Sequence, residues 1–236
     1  MAISHTARVL VTRARGQGKT LSQLLERAGA QVTELPLIAF EATQRRMPEL
    51  SPGDILVVTS ATAVPFLDRP PAGVRVAAVG PSTAQALREA GIEVSVVPPR
   101  ALASALVEAL GPLEGRRILY PRAEQVPATF EASLRQAGAR VVSAAVYRTI
   151  LPPEATLLGV SVDVVTLASG SAARHYHQLG GVPEARIAAI GPSTAAVCAR
   201  LGIEVHAVAA QHTSEGLAQA ALSLLQACAP GAPRRS

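Results

Sequence analysis

The sequence predicts an α/β protein made of two doubly wound parallel sheets. Three observations carry this. Apolar, β-branched runs alternate with amphipathic stretches, the alternation is written twice along the chain, and 49% of the 236 residues are hydrophobic. Continuous apolar strands separated by helices are the pattern of a parallel sheet covered on both faces. The length allows one large domain or two of roughly 100 residues, and the duplication selects the second.

Three segments recur in the same order. Residues 78–94 (AVGPSTAQALREAGIEV) and 189–205 (AIGPSTAAVCARLGIEV) agree at ten of seventeen positions, at an offset of 111. Residues 9–32 and 118–141 agree at nine of twenty-four at an offset of 109, Arg13 with Arg122 among them. DILVVTSATAV at 54–64 matches DVVTLASGSAA at 163–173. The chain is therefore an internal duplication of one unit.

In the first copy, short apolar runs predict strands at 8–12, 32–38, 55–59, 76–80 and 93–97. Amphipathic stretches predict helices at 19–28, 61–68, 82–90 and 101–110. Gly29 and Gly91 fall just past helix ends, where positive φ is often required. The second copy repeats the strands near 117–120, 141–147, 162–167, 187–190 and 204–208.

Composition removes several classes. Charged residues make up 17%, too few for wholesale disorder in so apolar a chain, and the 18 Gly and 18 Pro are scattered, not periodic. No apolar run approaches the ~20 residues that span a bilayer, so no membrane partner is expected. MAISHTARVLVTR lacks the parts of a secretory signal, and the expected location is cytoplasmic. Cys198 and Cys228 match no metal spacing, and His175 and His177 do not share a helix face. Neither a metal nor a disulfide framework is expected.

Net charge is +5, and 21 of 22 basic residues are arginine, whose planar fork pairs with carboxylate and phosphate. Nucleic acid is not the expected partner. Aromatics are 3% with no Trp, so stacking platforms are scarce. The pairs Arg45-Arg46, Arg116-Arg117 and Arg234-Arg235 read as solvated surface and a terminal tail.

Ligands of doubly wound sheets bind beyond the carboxyl ends of the strands. Three kinds of loop stand there, each twice. The first carries an arginine, Arg13 or Arg122. The second is a hydroxyl-rich turn, with Thr59, Ser60 and Thr62 in one copy and Ser169 and Ser171 in the other. The third is Gly-Pro-Ser-Thr-Ala, giving Gly80, Ser82 and Thr83, then Gly191, Ser193 and Thr194. Glycine closes the strand, proline takes the first helical position, and the hydroxyls fill the first turn. Such helix starts hold anions, or their hydroxyls merely cap the helix; both readings stand at this point. Neither a GxxxxGK[ST] loop nor a complete GxGxxG is present, which disfavours nucleotides.

These residues resemble the uroporphyrinogen-III synthase family over essentially the whole chain. The marks are VLVTR (9–13), TSATAV (59–64), VAAVGPSTA (76–84), ILYPRAE (118–124), VYRT (146–149), ASGSA (168–172) and IAAIGPSTA (187–195). The family's usual TSxNAV and TSPSAV turns are altered here, with Thr62 for an amide and Gly170 for proline. The resemblance implies conversion of the linear tetrapyrrole hydroxymethylbilane to uroporphyrinogen III, with loss of water and inversion of ring D. It implies an azafulvene cation, a spiro-pyrrolenine intermediate and no cofactor. The substrate's eight carboxylates suit duplicated anion-binding turns and excess arginine.

The resemblance also implies a topology and a catalytic residue. Residues 1–37 with 153–236 form one flavodoxin-like domain and 41–149 an inserted second, joined by an extended two-segment hinge at 36–42 and 148–153. The hydroxyl-bearing turns are expected to face an interdomain cleft. Tyr147, in VYRT, is the expected proton donor; its counterpart at offset 109 is Ile38, so the phenol breaks the repeat. The expected partner is a small molecule, hydroxymethylbilane, taken up free or from its own synthase, and the expected state is a monomer. A two-lobed binding or sensor protein for an acidic small molecule, without chemistry, is the alternative.

Overall fold

A computed structural model describes residues 7–226; Cys228, Arg234 and Arg235 lie outside the described residues. The elements run β1 (Arg8–Val11), α1 (Lys19–Arg27), β2 (Gln31–Glu34), β3 (Ala39–Ala42), β4 (Ile55–Val58) and a 3-10 helix (Ala61–Phe66). They continue with β5 (Arg75–Ala78), α2 (Pro81–Glu89), α3 (Ala103–Leu110), β6 (Arg117–Ala123), α4 (Thr129–Gln136) and β7 (Arg140–Ile150). The last are β8 (Val164–Leu167), α5 (Gly170–Gln178), β9 (Arg186–Ala189), α6 (Pro192–Arg200), β10 (Ala207–Val208) and α7 (Ser214–Gln226).

The chain divides into two compact units. Unit 1 takes the residues up to Ala39 and those from Ile150 onward, and unit 2 is Phe40–Thr149. Each holds one five-stranded sheet, ordered β2-β1-β8-β9-β10 in unit 1 and β3-β7-β6-β4-β5 in unit 2. The repeat aligns β6 with β1, β7 with β2, β4 with β8 and β5 with β9, so both sheets share one spatial plan; β3 is an added edge. The pairings β1–β2, β1–β8, β8–β9, β6–β7, β4–β6 and β4–β5 are all parallel.

Alternation along the strands fills both faces of each sheet. In unit 1, Val9, Val11 and Val164 pack against Leu21 and Leu25 of α1 and Leu217 and Ala221 of α7. Leu10 points to the opposite face and is equally buried. In unit 2, Ile55, Val57 and Ile118 meet Leu106 of α3 and Leu134 of α4, while Leu56, Val58 and Leu119 meet the 3-10 helix and Leu87 of α2. An Arg–Asp pair at the same place in the repeat links first and third strands. Arg117 reaches Asp54 at 2.7 Å in unit 2; in unit 1 the Arg8 backbone N–H donates to Asp163 at 2.7 Å and its guanidinium stands 3.8 Å away.

Several expected elements differ. The strand expected at 32–38 ends as regular strand at Glu34, although Leu35 and Leu37, on either side of Pro36, still donate to the Val11 and Thr12 carbonyls, and β3 begins afresh in the other sheet. The expected helix 61–68 is a six-residue 3-10 helix, interrupted by Pro65. The strand expected at 93–97 shrinks to a single bridge, Ala77 to Val96, just before Pro98 and Pro99. Its repeat partner β10 is two residues long and pairs at the equivalent place, Ala207 with Ala188. Conversely β6 and β7 run longer than expected. β4 partners β6 only at Ile118 and Leu119, so Pro121 sits beyond the stretch where β6 is paired on both sides. Gly29 closes α1 with φ +89°, as its place in the sequence requires.

Candidate functional site

Within each sheet the three loop types emerge at one end, the carboxyl end of the parallel strands. In both GPSTA turns glycine is the N-cap and proline opens the helix. Both glycines have extended backbone, so their need is for space. A Cβ on Gly80 would stand 2.8 Å from the Cβ of Ala101, and one on Gly191 2.6 Å from the His212 ring.

No side chain caps either helix. Thr83 and Thr194 are 3% and 2% exposed, yet among the described residues neither hydroxyl has a hydrogen-bond partner. Among the described residues no fully enclosed side-chain oxygen or nitrogen lacks a partner, so these two oxygens reach open space. Thr12 and Thr166 show the contrast. Equally buried, they donate to the carbonyls of Thr166 (2.7 Å) and Leu10 (3.0 Å), tying β1 to β8. Ser82 and Ser193 are exposed.

The second turn type does cap. Ser60 Oγ accepts from the Thr62 N–H at 3.2 Å, and Ser169 Oγ accepts from the Ala172 N–H at 3.1 Å. Ser171 Oγ accepts from Arg174 at 3.0 Å, and Thr62 remains half-buried. Thr59 Oγ1 donates to the phenolic oxygen of Tyr120 at 3.4 Å. The two arginines make hydrogen bonds inside their own units. Arg13 donates to Ser214 Oγ at 2.8 Å, and Arg122 to the carbonyls of Ala123 (2.9 Å) and Glu124 (3.1 Å).

Tyr147 is 6% exposed, with its ring stacked on Phe66 at 5.3 Å and edge-on to Phe40 at 5.8 Å. A β-bulge aims it there. Arg122 pairs with Ala145 but Ala123 pairs with Tyr147, so Val146 is an extra residue. Val146 and Tyr147 consequently pack on the same face, with Val58 and Leu87, where regular alternation would separate them. Burial raises the phenol's pKa above its ordinary value, against the pull of the Ser60 hydroxyl.

Two neighbours escape sequence reasoning. His212 overlies Gly191, and Tyr120, buried edge-on to Phe130 at 5.2 Å, contacts Thr59. The repeat carried a signal for both, because their counterparts at offsets of 111 and 109 are Ala101 and Val11. His175 Nδ1 hydrogen-bonds the Leu37 carbonyl, and Cys198 is buried in unit 1 with its thiol pKa raised by desolvation. Among the described residues no group of three or more His, Cys, Asp or Glu is placed to hold a metal ion, and no helix is long and apolar enough to cross a membrane.

Duplicated α/β units with hydroxyl-bearing helix starts beyond their strand ends define a class: two-unit α/β proteins with the same loop set at the carboxyl ends of both sheets. The family model described as "Uroporphyrinogen-III synthase HemD" matches residues 19–219, and the chain belongs to the uroporphyrinogen-III synthase family, a family of cyclising lyases. It is 28% identical to the uroporphyrinogen-III synthase of Synechococcus elongatus over 242 residues, covering 89% of this chain and 92% of that protein. The fold is that of solved uroporphyrinogen III synthases. The Helicobacter pylori structure aligns with TM-score 0.66 at 20% identity, over 92% of this chain and 99% of that one. A mutant from Thermus thermophilus aligns with TM-score 0.53 at 20% identity, over 93% and 99%.

Proposed function

We propose that this chain closes hydroxymethylbilane to uroporphyrinogen III, with loss of water and inversion of ring D. The observation that carries the reading is the pair of helix starts at Gly80 and Gly191, each with a buried threonine hydroxyl that no other described residue uses. A helix start attracts an anion through its unpaired N–H groups, and a free hydroxyl adds a donor. Two such starts suit a substrate with many carboxylates. Thr83 and Thr194, with Ser82 and Ser193 beside them, take carboxylates in this reading. Ser60 and Ser169 still have a proton to give, since each uses only its oxygen as an acceptor in capping. Thr62 and Ser171 extend the donor set, Thr59 gives its proton to Tyr120 instead, and Arg13 and Arg122 keep further N–H groups free for carboxylates.

The bilane closes unaided to the uninverted isomer, so the protein's main task is to hold the substrate with the substituted carbon of ring D at the reacting carbon. Tyr147 assists by giving its proton to the hydroxyl that departs as water. A phenol whose pKa is raised by burial stays protonated at neutral pH and can donate. The protein works in this reading as a cytoplasmic monomer on a small molecule. The test is direct: supply fresh hydroxymethylbilane, oxidise the products and separate isomers I and III by chromatography. Isomer III above the unaided background is expected. Isomer I alone, with tight binding of the bilane, would identify a binding protein that does no chemistry.

A further inference from the structure

We propose that Tyr120 is a positioning residue for ring closure: its phenol grips Thr59 and so holds the turn after β4 against Tyr147. The inference rests on the reading of Tyr147 as proton donor and adds a residue to it.

The turn from Thr59 to Phe66 is held at both ends by tyrosine. At its start, the Thr59 hydroxyl meets the Tyr120 phenolic oxygen. At its end, the Phe66 ring lies flat on Tyr147, 5.3 Å between centroids and 10° between planes. Ser60 follows Thr59 directly and caps the 3-10 helix through the Thr62 N–H. Any slack at Thr59 therefore passes to the residues that surround Tyr147.

The two tyrosines reach this turn from opposite faces of one sheet. Tyr120 packs with Phe130 and Leu134 on the α3–α4 face, whereas the bulge at Val146 turns Tyr147 to the face of the 3-10 helix. The Tyr120 ring is 4% exposed and fixed edge-on against Phe130, so its hydroxyl is a rigid anchor. A separation of 3.4 Å is long for an O–H···O bond, and such contacts commonly tighten when substrate closes around them.

The repeat isolates the feature. At offset 109 the counterparts of Tyr120 and Thr59 are Val11 and Ala168, so unit 1 has no hydroxyl at either place. A role in packing the sheet is filled there by hydrocarbon. The hydroxyl pair exists only in the unit that carries Tyr147.

Tyr120→Phe keeps the ring on Phe130, and Thr59→Val keeps the shape of the turn, so both isolate the hydroxyl link. Each is assayed with fresh hydroxymethylbilane for kcat and KM, beside Tyr147→Phe and the pairwise combinations. Loss of one hydrogen bond is expected to lower kcat about three- to tenfold, with KM within about twofold. The Tyr120→Phe/Thr59→Val double variant should fall no further than the slower single one. Adding Tyr120→Phe to Tyr147→Phe should cost nothing more. Normal kcat in Tyr120→Phe, with or without a lower melting temperature, overturns the inference, as do multiplying losses or a change confined to KM. Tyr147→Phe separates the two ideas. If it turns over normally, the proton-donor reading falls and this inference with it; if it is slow while Tyr120→Phe is normal, only the positioning role falls.

Discussion

Unit 2 puts hydroxyls where unit 1 puts hydrocarbon. Tyr147, Tyr120 and Thr59 stand at the places that unit 1 fills with Ile38, Val11 and Ala168. At the turn before the last helix the difference reverses: unit 1 has His212 and Ser214, which holds Arg13, where unit 2 has Ala101 and Ala103. The GPST helix starts, by contrast, are the same in both, down to the unpartnered threonine. Duplication kept the helix starts proposed to hold carboxylates and relaxed what surrounds them. An anion-rich substrate can use matched grips twice, but departure of one water is a single event and needs a donor in one place only.

The comparison breaks most sharply at Tyr147. Tyr147→Phe keeps the ring between Phe40 and Phe66 and removes only the hydroxyl that gives the proton, so kcat should fall about 10²-fold or more, the usual scale of positioned proton transfer. KM and melting temperature should stay near those of the unmodified chain. Near-normal turnover would leave substrate folding as the whole of catalysis and would remove the functional contrast between the units.

The next effect is on folding and concerns the two capping glycines. A methyl on Gly80 meets the Cβ of Ala101, which cannot move without the main chain. A methyl on Gly191 meets the exposed His212 ring, which can swing away. Gly80→Ala should therefore cost about 1–3 kcal/mol of stability by overpacking, and Gly191→Ala less. Denaturant melts of both, together with Gly191→Ala/His212→Ala, check this. Failure of the His212 truncation to relieve any loss in Gly191→Ala would show that the ring is not what crowds the turn.

Much of this was legible in the sequence, for reasons visible in particular residues. Gly80-Pro81 and Gly191-Pro192 marked helix starts because glycine, proline and hydroxyls each serve a distinct need there, and the helices begin as read. The split of 32–38 was not legible, because the apolar run through Leu37 and Ile38 favours a strand, and nothing in it records that the chain leaves for the other sheet at Ala39. The face that Tyr147 occupies was not legible either. A bulge depends on how two strands pair, and nothing within VYRT records that Ala123 skips Val146. Capping was half legible: the sequence offers a hydroxyl at each of the four candidate turns, but among these Ser60 and Ser169 are the ones seen to use theirs on the helix.

That division gives a third test, smaller than the others. Thr83→Ala and Thr194→Ala remove hydroxyls that support no hydrogen bond among the described residues, so catalytic efficiency should drop several-fold while melting temperature holds. Ser60→Ala and Ser169→Ala remove caps and should cost about 0.5–2 kcal/mol of stability. Thermal melts and isomer III formation on the four variants separate the effects. Threonine variants that melt early but work normally would make those hydroxyls structural in both units.

The smallest expected effect lies at alkaline pH and compares one buried phenol from each unit. Desolvation is the leading cause that raises both Tyr147 in unit 2 and Tyr176 in unit 1; Ser60 opposes it in the first and the Val182 backbone in the second. A pKa raised by folding means that the native state holds the proton more tightly than the unfolded chain does. The associated stability is complete below the unfolded tyrosine pKa, about 10, and is lost as pH rises from there through the higher folded value. Each unit should accordingly weaken above about pH 10. Tyr147→Phe should blunt that loss for unit 2 and Tyr176→Phe for unit 1. The Tyr176 variant carries a separate penalty, because the Val182 N–H donates to its hydroxyl at 2.7 Å and would lose that partner. That penalty is independent of pH, so the slope of stability against pH, read from denaturant melts between pH 8 and the alkaline limit, is the quantity to compare. An unchanged slope in Tyr147→Phe would mean that its phenol meets water freely in solution, and a phenol so exposed would no longer sit in the apolar site that sets unit 2 apart.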